Sequence, residues 1–159
     1  MKTLALLAPA MLIAAPAAAQ VMTPAQYVST AGASDLYEIT SSKLVLQTTQ
    51  DPKIRSFAQM MVMEHTKSTA QVKAAAARAR VKAAPAKLNP LQTELVSELR
   101  SESGAARDAR YIAQQKAAHN QALEVQKAYA MEGTSAPLKA AAAGIVPVVQ
   151  QHVDMLKSM

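Results

Sequence analysis

Four times along this chain a small polar residue stands just ahead of a proline: Thr23-Pro24, Asp51-Pro52, Asn89-Pro90 and Ser135-Ala136-Pro137. Side chains of these polar types accept hydrogen bonds from the unpaired N–H groups of a helix's first turn, and a proline there gives up an N–H that had no partner. Each pair therefore marks a helix start. Gln26, three residues after Thr23, completes a capping box. The pairs predict a first helix from about Pro24 to Thr49, a tight turn near Gln50, and a second helix from Pro52 to about Val81. Pro85 then makes a loop of Lys82 to Asn89, and a short helix follows with Leu91, Leu95 and Leu99 on one face, ended by Gly104. A third long helix is expected from about Ala105 to Met131, stopped by Gly133, and a fourth from Pro137 to the C-terminus. The filling agrees, because 35 of the residues are alanine, the best helix former, and only five are aromatic. Pro147 lacks an N–H and meets the carbonyl of Ala143, so a kink is expected beside Gly144.

Long helices with tight turns inside each pair, and a long connection between the pairs, predict an all-α, ferritin-like four-helix bundle whose crossover contains the short helix. The first twenty residues have another character: Lys2, an apolar stretch from Leu4 to Ala15, and the small-residue run Ala17-Ala18-Ala19. That is the pattern of a secretory signal peptide cleaved after Ala19. Its apolar part falls short of the ~20 residues that span a bilayer, and Pro9 and Pro16 interrupt it. The expected division is residues 1–19 as signal peptide and 20–159 as the bundle domain, periplasmic or secreted, with no transmembrane span in the mature protein. Loss of Lys2 takes 17 basic residues to 16 against 11 acidic, a net charge of +5. There is no cysteine to be lipidated, and none of the four glycines forms a Gly-x-Gly, which excludes thiolate metal sites, Cys nucleophiles and the usual phosphate loops.

The apolar stripe of each long helix is interrupted by ionisable residues. Val28, Ala31, Asp35, Glu38, Ser42 and Val45 follow a helical period and put Glu38 on the inner face. Ile54, Ala58, Met61, His65, Ser68 and Val72 do the same for His65, with Glu64 turned ~100° toward the edge. On the third long helix the face holds Tyr111, Gln115 and His119, and on the fourth Ile145, Val148 and His152. Counted from the two turns at ~1.5 Å per residue, heights differ by roughly 5 Å between Glu38 and His65 and roughly 8 Å between His119 and His152. One central layer is compatible with these heights, although the stagger of the two pairs is left open.

Several short segments occur in a telling order: Glu38-Ile39, Phe57-Ala58, Met61-Val62-x-Glu64-His65-Thr66, Asp108-x-x-Tyr111-Ile112 leading to His119, and Pro147 five residues before His152. Together they resemble the DUF4142 family, exported bacterial proteins grouped with the ferritin-like superfamily, over nearly the whole mature chain. The chain departs from the family's usual pattern with Glu64 where an Asp precedes the second-helix His, and with Arg107-Asp108 where Phe-Asp is usual. The resemblance implies a fold and an exported location, and no reaction.

The residues themselves leave two functional readings. Glu38, His65, His119 and His152 are a plausible ligand set for one Zn, Cu or Fe ion, since three imidazoles and a carboxylate suit a transition metal better than Ca²⁺ or Mg²⁺. The alternative keeps these residues as a hydrogen-bonded network without metal and assigns the function to the basic helix end. There Lys73, Arg78, Arg80 and Lys82 would attract anionic envelope lipids or polysaccharide. The basic run has no interleaved aromatics, so nucleic acid is not expected as a partner. Di-iron chemistry needs Glu-x-x-His on two helices, and here the third residue after Glu38, Glu64, Glu124 and Glu132 is Ser41, Lys67, Lys127 and Ser135. No catalytic residue is singled out, and an enzyme is the less favoured expectation.

Overall fold

The structure, a computed structural model, describes residues 21–82 and 84–159. The expected signal peptide lies outside them. The described residues form α1 (Pro24–Val45), α2 (Pro52–Arg78), α3 (Pro90–Ser101), α4 (Gly104–Glu132) and α5 (Ala136–Leu156), with no strand among them. The starts fall where the polar residue–proline pairs put them. Thr23 and Gln26 exchange both bonds of a capping box, as do Asn89 and Gln92, while the Asp51 carboxylate accepts from the N–H groups of Lys53 and Ile54. Ser135 makes no such bond.

Boundaries differ where tertiary contacts decide them. α1 ends at Val45 rather than Thr49, because the N–H groups of Gln47 and Thr48 bond back only three residues and tighten the chain into the turn. α3 ends at Ser101, where Glu102 turns extended, and not at Gly104. Gly104 turns the corner with a φ of 55° and opens α4, and its N–H donates to Thr48 Oγ1 at 3.1 Å. A side chain would be strained in that left-handed conformation. α5 continues through Pro147 as a helix.

α1 packs on α2 and α4, and α5 on α2 and α4, so α1 and α5 occupy opposite corners of a four-helix bundle. The crossover begins beside the first turns of α1, where Ala86 comes close to Gly32, and ends against Thr48. It thus returns along the bundle's length and makes α4 run in the same direction as α2, the one-crossover connectivity of ferritin-like folds. α3 lies over α1 and α4. The leucine face expected of it is only half right: Val96 and Leu99 are buried, but Leu91 is 59% exposed, because the C-terminal half of α3 makes the contact.

Two separate apolar clusters form the core. One, at the α1 N-terminal end, includes Tyr27, Val72, Leu123, Tyr129, Leu138 and Val149, with the Tyr27 and Tyr129 rings stacked at 3.9 Å. The other, at the opposite end, includes Val45, Phe57, Met61, Leu99, Tyr111 and Leu156. Between them lies a buried polar layer containing Asp35, Glu38, His65, Gln115, His119 and His152. Burying so many polar groups costs free energy unless each finds a partner, so the layer is the part of the fold that apolar packing does not explain.

Candidate metal centre

Four helices each deliver one of the expected residues to this layer. Glu38 comes from α1, His65 from α2, His119 from α4 and His152 from α5, and all four are buried. The three imidazoles converge: one nitrogen of each lies within 4.8 Å of those of the other two, and their ring centroids are 5.2 to 5.7 Å apart. Glu38 is a neighbour of this trio rather than a member. Its Oε1 lies 3.8 Å from His119 Nδ1. Phe57, a member of the second apolar cluster, borders the layer, its ring centroid 6.2 Å from that of His119 and 6.4 Å from that of His152.

Each ring is held by one nitrogen. His65 Nδ1 is 2.9 Å from Asp35 Oδ1, whose other oxygen accepts from Thr69 Oγ1 at 3.0 Å. His152 Nε2 is 2.6 Å from Glu64 Oε2, and His119 Nδ1 is 3.1 Å from the Gln115 carbonyl oxygen one helical turn earlier. With those nitrogens donating N–H, the remaining nitrogen of each ring carries a lone pair. Those remaining atoms, His65 Nε2, His119 Nε2 and His152 Nδ1, are buried without a hydrogen-bond partner among the described residues, and so is Glu38 Oε2. Metal-ligating histidines characteristically have their second nitrogen tied to a carboxylate or carbonyl in this way, which fixes tautomer and ring orientation.

Burial sets the electrostatics. It drives His119 down from 6.5 to about 3, helped by the neighbouring His65 and His152, and it holds His152 below its ordinary value against the pull of Glu64. Both rings are thus neutral at pH 7 and can offer a lone pair. Burial also works against a charge on His65, but there the Asp35 hydrogen bond and the Glu38, Asp35 and Glu64 charges outweigh it and raise the ring above 6.5. The Glu38 carboxyl, fully buried, is pushed up from 4.5 to about 7, with His65 pulling the other way. The carboxylates of the layer therefore favour positive charge beside them, on His65 above all.

Sequence reasoning placed Asp35 and Gln115 on the inner faces without a role, and it turned Glu64 toward an edge. Glu64 does sit at an edge, and it reaches His152 because α5 packs against α2 there. The usable signal was local: Asp35 is one helical turn from Glu38, Gln115 one turn from His119, and Glu64 adjacent to His65. Arg107 and Asp108 serve the scaffold. Arg107 Nη1 donates to the Leu44 carbonyl, and Asp108 Oδ2 accepts from Thr49 Oγ1. Lys73, Arg78, Arg80 and Lys82 are all exposed around the end of α2, where cations complement the helix dipole.

The sequence profile of the DUF4142 family, a domain of unknown function, matches residues 9–159, and the chain belongs to that family. No curated protein and no solved structure matches it. No helix among the described residues is long and apolar enough to cross a membrane.

Proposed function

We propose that this DUF4142 protein is an exported helical bundle that holds one transition-metal ion in its central layer through His65 Nε2, His119 Nε2 and His152 Nδ1. The observation that carries the reading is the set of three buried imidazoles that converge to within 4.8 Å through one nitrogen each, every ring being fixed through one nitrogen and having its other nitrogen buried without a partner among the described residues. Three neutral imidazoles suit Zn²⁺, Cu²⁺ or Fe²⁺, and Cu²⁺ should bind most tightly on general affinity order. Glu38, beside the trio, balances the ion's charge. Export rests on the signal-like residues 1–19.

A network without metal would use the same Asp35–His65 and Glu64–His152 bonds. Without an ion the free nitrogens of His65, His119 and His152 have no partner among the described residues, whereas an ion would pair all three, and that difference favours the metal reading. Chelator-stripped mature protein, titrated calorimetrically with Zn²⁺, Cu²⁺ and Fe²⁺, tests the choice. One ion per chain is expected for wild type and none for His119→Ala. An identical response of the two proteins to all three ions would refute the reading.

A further inference from the structure

A cavity of about 150 Å³ lies beside the histidine layer and is walled by all four long helices. Its lining is divided by chemistry. Every residue that α1 and α2 contribute is polar, whereas the apolar ones, Ala122, Ile145, Val148 and Val149, all come from α4 and α5. Lys67, Gln71, Gly144 and Val148 are exposed, so the cavity opens toward solvent between α2 and α5. Two lining side chains carry unused polar groups. Ser68, 9% exposed and one turn after His65 on the inner stripe of α2, makes no hydrogen bond through its hydroxyl among the described residues. Gln126, 6% exposed, accepts the Tyr27 hydroxyl on Oε1, and its Nε2 has no partner among those residues.

We infer that this cavity binds an uncharged single-ring organic molecule bearing a hydroxyl or N–H, with its ring on the α4–α5 side and its polar group toward Ser68. Size follows from volume, because an apolar cavity of about 150 Å³ admits benzene. Neutrality follows from the walls. Two carboxylates, Asp35 and Glu64, stand there against one ammonium, Lys67, which disfavours an anion. A cation finds neither carboxylate unengaged: Asp35 spends both oxygens on His65 and Thr69, and Glu64 is held by His152 at 2.6 Å. A charge of either sign would shed its water without gaining a full partner. The ring answers the apolar side, where a buried water would lack the about two to four polar partners it needs. Displacing such poorly held water by an apolar group gains affinity. The inference does not depend on an ion in the layer.

The test is calorimetric titration of mature protein, as purified, with phenol, benzene and benzoate in turn. Phenol should bind saturably at one per chain, benzene about two- to tenfold more weakly for want of the hydrogen bond, and benzoate not at all. Ser68→Ala should bring phenol down to the level of benzene. Gly144→Leu and Val148→Phe add bulk at exposed lining positions, so each should keep the wild-type Tm and lose both ligands. Any one of four results would overturn the inference: no saturable phenol binding, meaning that the cavity takes water only; benzoate binding equal to that of phenol; a preference for phenol over benzene that survives in Ser68→Ala; or wild-type phenol affinity in both bulky variants. None of these results bears on the metal reading, which the metal titrations decide.

Discussion

Replacing Glu38 by Gln removes a charge and no bulk, and the consequence for stability should change with pH. Burial holds the Glu38 carboxyl at about 7 against an ordinary 4.5. At ~1.36 kcal/mol per pH unit that displacement is worth about 3 kcal/mol. The folded state prefers the protonated form, so the contribution is complete below pH 4.5, where both states are protonated. It is lost as pH rises through about 7, because the unfolded chain gives up the proton freely and the folded one does not. Gln is neutral throughout and keeps the contribution. Metal-free Glu38→Gln should therefore match wild type at pH 4 and exceed it by up to about 3 kcal/mol at pH 8, roughly 10 °C in Tm for a domain of this size.

Thermal melts of chelator-stripped protein, followed by circular dichroism from pH 4 to 8.5, read this directly. Zn²⁺ at a hundredfold excess over Kd stabilises a binding protein by about 2.7 kcal/mol, and the ion's charge also relieves Glu38. Zn²⁺ should thus narrow the gap at pH 8 by favouring wild type. A variant less stable than wild type at pH 8, or a difference that stays flat from pH 4 to 8, would refute the electrostatic account of the layer.

Three further outcomes follow from the same geometry. Asp35→Asn should weaken Zn²⁺ binding about 10- to 100-fold by freeing the His65 ring from its 2.9 Å partner, measured calorimetrically against wild type. Because Asp35 and its neighbours hold His65 above 6.5, Zn²⁺ must displace a proton there, so affinity should still be rising between pH 6.5 and 7.5; a plateau by pH 6.5 would contradict that. Metal-free protein should lose stability as pH falls from 6.5 toward 3, because the unfolded chain protonates His119 and the folded one resists, and His119→Leu should flatten that limb of the melting curve.

The part of this molecule that could be read from its sequence is the part set by short-range chemistry. A cap such as Thr23 with Gln26 satisfies its helix within four residues, so the start is visible wherever the residues are. The inward residues were visible for a similar reason, because a 3.6-residue period is a local property. What decides whether they form a site is the relative height of two hairpins, and that depends on contacts made far apart in the chain. Examples are Gly104 against Thr48 and the Tyr27 hydroxyl on Gln126 Oε1 at 2.7 Å. The same limit explains Glu38 and Glu64. By period alone Glu38 is as inward as any histidine, and Glu64 is off the stripe. Yet α1 offers Glu38 to the Nδ1 side of His119, while α5 brings His152 out to meet Glu64. Such assignments follow from which helix packs against which face, so a carboxylate one position off an inner stripe is as good a candidate for holding a ligand as one on it is for being a ligand. That argument extends to the layer as a whole. Two apolar clusters would pack more stably if they met, and a chain that keeps three histidines and two buried carboxylates between them forgoes that gain. On the proposed reading an ion would offset that loss, by giving the unpaired nitrogens a partner and the carboxylates a countercharge.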